Sequence, residues 1–219
     1  MARIRSVNAG RATQSGHATV GRTGIDKRPV AGAVAVRWPG PKGAAGSGLA
    51  TDEVCDLRHH GGPEQALYAY AREDLDHWQA ALARELGDGA FGENLTTEGI
   101  DLSGARIGER WRIGERCIVE VSCPRIPCRT FAGWLGVRGW ERAFTRHGAP
   151  GAYLRVIAPG SVAAGDTVRT VSRPAHEVTV ADMFRALTTE RGRLPAMLEA
   201  GDALPWETRQ EAVAFVRGT

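Results

Sequence analysis

Lysine is almost missing from this sequence of 219 residues: Lys27 and Lys42 are the only two among 28 basic residues, and arginine supplies the rest. So one-sided a usage lessens what any single arginine can signify. A strong charge of either sign is missing as well. With 25 acidic residues the formal balance is +3, too weak for a surface that tracks nucleic-acid phosphates. No uninterrupted apolar stretch approaches the roughly 18 residues of a membrane span, and the polar, Arg-bearing start through Arg11 carries no signal-peptide core. A cytoplasmic protein with neither nucleic acid nor membrane as partner is expected. Cysteine is scarce: Cys55, Cys117, Cys123 and Cys128 are the only four, too sparse for a disulfide scaffold. In a reducing compartment, a special cysteine is then a metal ligand or a nucleophile.

What is present is the composition of a folded protein, 42% hydrophobic and 24% charged, which excludes disorder as the main state. The length allows one domain, or one with a small appendage. There are 28 glycines and 11 prolines, about 18% of the chain against a usual share near 12%, and they separate short β-rich runs. Val30 to Val36, Leu67 to Tyr70, Arg110 to Ile113, Cys117 to Cys123, Tyr153 to Ile157 and Thr167 to Ser172 read as strands of a barrel or sandwich. Gly114-Glu115 after Ile113 suits a two-residue type II′ hairpin turn. One helix interrupts this region, with Leu75, Trp78, Leu82 and Leu86 spaced by three and four and Gly87 as its stop. Gly40 to Gly48 reads as a mobile loop. After Pro174 the period changes, and Val180 to Thr189, Arg193 to Ala200 and Pro205 to Val216 read as three short helices, with Thr179 as an N-cap and Pro205 at the first position of the last. The expected organisation is therefore a mainly β unit over 1–174 and a three-helix unit over 175–219.

Three segments carry residues suited to chemistry. In Asp56-Leu57-Arg58-His59-His60-Gly61-Gly62-Pro63 the paired glycines let backbone approach a ligand, and Pro63 stiffens the exit. The plain alternative is a strand-entry turn with solvated histidines. Adjacent histidines in an extended chain point different ways, so at most one faces a site. In Phe91-Gly92-Glu93-Asn94-Leu95 an acid and an amide could orient another group or act as a general base, or simply form an Asx-turn. In Cys123-Pro124-Arg125-Ile126-Pro127-Cys128-Arg129 two prolines stiffen a loop that puts Cys128 between two guanidinium groups, which favour the reactive thiolate. Cys123 shares a strand face with Cys117 and Val121 and reads as a core residue. A zinc site from Cys117, Cys123 and Cys128 is the metal alternative, though no C-x2-C knuckle is present. The spacing fits no ferredoxin cluster pattern.

Taken together and in this order, these segments resemble the MOSC family, named for the C-terminal domain of molybdenum cofactor sulfurase, and in particular its YiiM-type members. The resemblance is carried by Ile25-Asp26-Lys27-Arg28-Pro29-Val30, by His60-Gly61-Gly62-Pro63 with Ala66 and Tyr70, by Phe91 to Leu95, by Pro124-Arg125 with Pro127-Cys128, and by Tyr153 to Gly160. With the helical tail it covers nearly the whole chain. Ala50-Thr51-Asp52-Glu53 departs from it, since the subfamily usually has glycine just before the aspartate.

The resemblance implies a mostly β, barrel-like domain with a helical insertion, followed by a small C-terminal helical domain. It implies binding of the molybdenum cofactor, a pyranopterin with an oxo-molybdenum centre, through Cys128 as metal ligand. It also implies reduction of N-hydroxylated compounds such as hydroxylaminopurines and amidoximes. A soft thiolate suits such a centre. His60 is the expected proton donor, with a pKa near the unperturbed value of about 6.5, and Glu93 the partner that sets its tautomer. Lys27, Arg58 and Arg125 are the candidates for the cofactor phosphate, with Gly61, Gly62 and Asn94 completing the binding set. The sequence has neither a cluster motif nor a dinucleotide fingerprint, so the electrons must come from a partner flavin or iron–sulfur reductase. The other function class is a non-catalytic carrier of the cofactor or of sulfur, with Cys128 holding the cargo.

Overall fold

The computed structural model describes residues 1–218. Its strands, in chain order, are β1 (Arg3–Gly10), β2 (Thr13–Gln14), β3 (Arg22–Thr23), β4 (Lys27–Pro29), β5 (Val34–Val36), β6 (Leu67–Ala71), β7 (Leu95–Glu98), β8 (Arg110–Ile113), β9 (Cys117–Pro124), β10 (Ala152–Ala158), β11 (Gly160–Val162) and β12 (Val168–Ser172). The α-helices are α1 (Arg72–Leu82), α2 (Arg129–Leu135), α3 (Trp140–His147), α4 (Val180–Thr188), α5 (Leu194–Met197) and α6 (Trp206–Gly218).

Eight strands form one sheet in the order β12-β8-β9-β10-β6-β7-β1-β4, while β11-β5 and β2-β3 make two small ribbons. Strand β9 shows why the sheet forms: Cys117, Val119 and Val121 are fully buried on one face, the period-two pattern of a strand packed on a core. Strand β6 is buried along its whole length, as befits a central strand, and it holds the sheet's one parallel contact, with β7. Parallel neighbours need a crossover, and α1 supplies it. The helical insertion is thus the β6-α1-β7 unit, and its return limb delivers Glu93 and Asn94 to the sheet.

Several expectations are corrected. The sheet is open: no strand ladder joins its ends, and β1 meets the segment before β12 through a bridge between Arg3 and Thr167 and a few backbone bonds such as Ile4 N to Asp166 O at 2.8 Å. A closed barrel is therefore not what the strands form. Ile113 pairs with Cys117, so the β8-β9 hairpin has a three-residue loop rather than a two-residue turn. Helix α1 stops at Leu82 because Ala83 adopts a left-handed conformation (φ 46°), before the expected stop at Gly87. Leu86 is nonetheless buried, its amide held by the Gln79 side chain at 3.1 Å. The Gly40 to Gly48 loop is tied down by bonds from Gly48 N to Ala66 O (2.7 Å) and from Gly62 N to Gly46 O (3.1 Å). Strands β1 and β7 and helices α2 and α3 were not anticipated.

Beyond β12 the chain turns helical. Thr179 caps α4 in a reciprocal capping box with Asp182, and Val178 and Val180 exchange backbone bonds with Ile107 and Ala105 near the start of β8. Phe184 of α4 packs edge-on to Phe144 of α3, extending an aromatic group that includes Tyr70, Trp78, Phe91, Phe131 and Trp140. Pro205 lies just outside α6, and the middle helix shrinks to α5 followed by a 3-10 turn. None of the described helices is long and apolar enough to cross a membrane.

Candidate functional site

One transverse row of the sheet places the site. Tyr153 of β10 stands between Cys123 of β9 and Tyr68 of β6. Tyr68 exchanges bonds with Asn94, its N–H donating to Asn94 Oδ1 (3.1 Å) and its carbonyl accepting from Asn94 N (2.8 Å). The Asn94 carbonyl in turn accepts from Asn8 N of β1 (2.7 Å). Over this row opens a cleft. Lys27, His60, Gly61, Asn94, Arg125 and Cys128 all line it, so residues from four distant segments meet in one place.

The cysteine loop leaves β9 at Pro124 and ends where α2 begins. Arg125 is buried (7% exposed), its guanidinium 5.1 Å from the Tyr68 ring centroid and 4.5 Å from that of Phe131. Such stacking holds a cation by attraction to the ring face. Among the described residues no carboxylate pairs with it, and its Nε is buried without a hydrogen-bond partner. Arg125 acts electrostatically on Cys128 and on Tyr153. Arg129, the other expected neighbour, turns away and donates to the carbonyl oxygens of His17 (3.2 Å) and Gly16 (3.4 Å). Cys128 is half-buried, whereas Cys117 and Cys123 are core residues whose thiols burial pushes up to about 11. Among the described residues no group of three or more His, Cys, Asp or Glu could hold a metal ion, which removes the zinc alternative.

The histidine loop enters β6 through a 3-10 turn at Pro63–Gln65. Gly61 (φ 76°) and Gly62 (φ 77°) are both left-handed, and a Cβ would lie 2.7 Å from Gly46 O at Gly61 and 2.9 Å from Lys42 Cα at Gly62. Only glycine fits either position. Gly61 lines the cleft, while Gly62 packs behind it. His60 differs from expectation: burial, with Arg125 nearby, lowers its pKa to about 4, so at neutral pH the ring is uncharged and holds no ready proton. His59 points outward, its Nδ1 3.0 Å from Asp56. Arg58 is exposed and lies outside the cleft lining.

Glu93 is the clearest correction. It is fully buried and accepts from Gly89 N (2.6 Å), Phe91 N (3.0 Å) and Thr96 Oγ1 (2.8 Å). Burial raises its pKa against those donors. It organises the loop before β7 and makes no bond to His60. Glu93→Gln removes one of its two acceptor oxygens and should lower stability by about 1–3 kcal/mol, seen as a lower denaturation midpoint; an unchanged midpoint would show that these bonds contribute nothing. Asn94 is likewise fully engaged, its Nδ2 donating to Asp52 Oδ2 (2.9 Å) and Asn8 O (3.4 Å).

Against this geometry the comparisons with known proteins can be set. The MOSC domain family model matches residues 56–169. The chain belongs to the MOSC domain family. It is 36% identical over 140 residues to Protein YiiM of Escherichia coli, covering 61% of this chain and 60% of that protein. It is 31% identical over 166 residues to a protein named Reductase from Gibberella moniliformis, covering 73% of this chain but 29% of that one. The crystal structure of YiiM from Geobacillus stearothermophilus superposes with a TM-score of 0.78 at 27% identity, over 98% of both chains. The matched segment starts at Asp56 and so takes in the histidine, glutamate and cysteine loops of this MOSC protein, while Lys27 and Asp52 lie before it.

Sequence reasoning assigned no role to several cleft residues: Asp52, Cys55, Tyr68 and Tyr153. The tyrosines sit in strands whose apolar patterns explain them without a site. Asp52 stood only as the neighbour of an atypical Thr51.

Proposed function

We propose that the cleft holds the molybdenum cofactor, with Cys128 as the protein ligand to the metal and Arg125, with Lys27 beside it, facing the cofactor phosphate. The observation that carries this reading is the buried Arg125 guanidinium, which lacks a carboxylate and sits on the wall that also bears Cys128. A buried cation without a counter-ion is unfavourable unless an anion completes it. When bound, the group supplies two-electron redox chemistry suited to reducing an N-hydroxylated compound to the parent nitrogen compound and water. The chain's own residues bind and orient: Tyr68 is held in place by donation from its hydroxyl to Pro150 O (2.8 Å), and the uncharged His60 ring offers an N–H toward the cleft. Electrons come from a flavin or iron–sulfur reductase. That a relative is named Reductase supports the enzyme over a carrier.

The test is metal analysis and pterin release on protein purified without oxygen from a cofactor-producing host. Wild type should carry molybdenum and pterin together. Arg125→Leu should retain about 10- to 100-fold less, the scale of a lost charge-assisted bond, at a melting temperature showing it folded. Equal loading of both would end the assignment of Arg125. Loaded protein that reduces no N-hydroxylated compound with any donor would favour the carrier.

A further inference from the structure

We infer that Asp52 is the positioning residue of this cleft: it clamps the Lys27 ammonium and the Asn94 amide, so that, of the two cations buried there among the described residues, Arg125 is the one without a carboxylate and open to an anion. The inference deepens the cofactor reading and rests on it for the identity of that anion. Asp52, Lys27 and Gly10 lie before the matched family segment and Asn94 lies within it.

The Asp52 side chain is 1% exposed, and each of its oxygens is used. Oδ1 accepts from Gly10 N (2.9 Å) and pairs with Lys27 Nζ, while Oδ2 accepts from Asn94 Nδ2 (2.9 Å). Three elements are thereby fastened at one carboxylate: the end of β1 at Gly10, the start of β4 at Lys27 and the entry to β7 at Asn94. Through Asn94 Oδ1 the clamp reaches the Tyr68 amide on β6, the strand whose ring supports Arg125. Gly10 and Gly24 approach too closely for any side chain there, which lets the Gly10 N–H reach the Asp52 carboxylate.

The charges around Lys27 decide what the clamp does. Asp52 faces it from the loop before the histidine segment, Arg125 from the cysteine loop and Glu93 from the loop before β7. Arg22, also on the cleft wall, is exposed and donates to Ala12 O (3.3 Å). Burial disfavours the ammonium, Arg125 repels it, and Asp52 is the main group that keeps it charged. Without Asp52 the ammonium gives up its proton at lower pH, and the cleft loses a fixed N–H donor.

The scarcity of lysine makes this measurable. Lys27 and Lys42 are the only lysines, so acylation of the cofactor-free chain with acetic anhydride, read by peptide mass spectrometry across a pH series, reports Lys27 with Lys42 as internal reference. Wild type should show Lys27 protected relative to Lys42. Asp52→Asn should raise Lys27 labelling about tenfold or more and move its midpoint to lower pH, a tenfold change in the neutral amine being one pKa unit. Asp52→Glu, which keeps the charge, should restore protection. Unchanged Lys27 labelling in Asp52→Asn overturns the inference. Should that variant fail to fold, Asp52→Glu decides alone: exposed Lys27 in a folded Asp52→Glu protein overturns it. Because no cofactor is present, failure here leaves cofactor retention by wild type intact, and failure of retention leaves the clamp intact.

Discussion

Cys128→Ser protein is expected to leave a cofactor-producing host with essentially no molybdenum, while Cys55→Ser keeps the wild-type load. Both sulfurs line the cleft, so position alone does not separate them. Burial raises the Cys55 thiol above its ordinary range, which leaves it protonated and a poor ligand. Cys128 instead sits at the end of a proline-stiffened loop, on the wall that also bears Arg125. A serine hydroxyl is a hard oxygen that stays protonated, whereas a thiolate matches a soft, sulfur-rich centre. The substitution should spare the fold: Cys128 is only half-buried, its backbone already has the extended conformation that precedes α2, and its carbonyl still accepts from Ala132 N (2.9 Å). Molybdenum per chain, measured beside thermal melting, decides it. Equal metal in the two variants would sink the ligand assignment.

His60→Gln should keep the cofactor and lose about 10²-fold or more in turnover, the scale of a lost proton-transfer or hydrogen-bond donor. His59→Gln, altering an exposed ring paired with Asp56, should cost little. The mechanism differs from the expectation of an imidazole near pH 6.5. With a pKa of about 4, the ring is neutral at pH 7, and in the proposed reduction it would act as an N–H donor to the departing oxygen rather than as a stored proton, a role open to neutral imidazole. The same shift gives a stability signature. The unfolded chain binds this proton below about 6.5, the folded one only below about 4, so stability is lost as pH falls through that window. At about 1.4 kcal/mol per unit the His60 share reaches about 3 kcal/mol. The difference in denaturation midpoint between wild type and His60→Gln should therefore change between pH 7 and 4. A His60→Gln protein with wild-type turnover and a parallel stability profile would reduce His60 to a packing residue.

Much of this protein is legible in its sequence because local patterns express local physics. The alternation from Cys117 to Cys123 turns those two thiols inward and leaves Cys128, beyond Pro124 and Pro127, to reach the cleft that Cys55 also lines. The paired glycines of the histidine loop read correctly as a place where backbone comes close, and Thr179 as a cap. Where apolar residues do not mark the buried face, the pattern falls silent: β1 buries Ser6 and Asn8 beside Ile4 and Val7, so its alternation is hidden by polar side chains whose partners, such as Thr96, lie far along the chain. That no strand ladder closes the sheet is settled only by which distant strands pair. The roles of the charged groups were decided in the same way. Glu93 serves its own loop, Asp52 gathers Gly10, Lys27 and Asn94, and Arg125 rests on two aromatic rings with its Nε unbonded, because burial and partners dozens of residues away set a group's charge and orientation, and no local spacing encodes either.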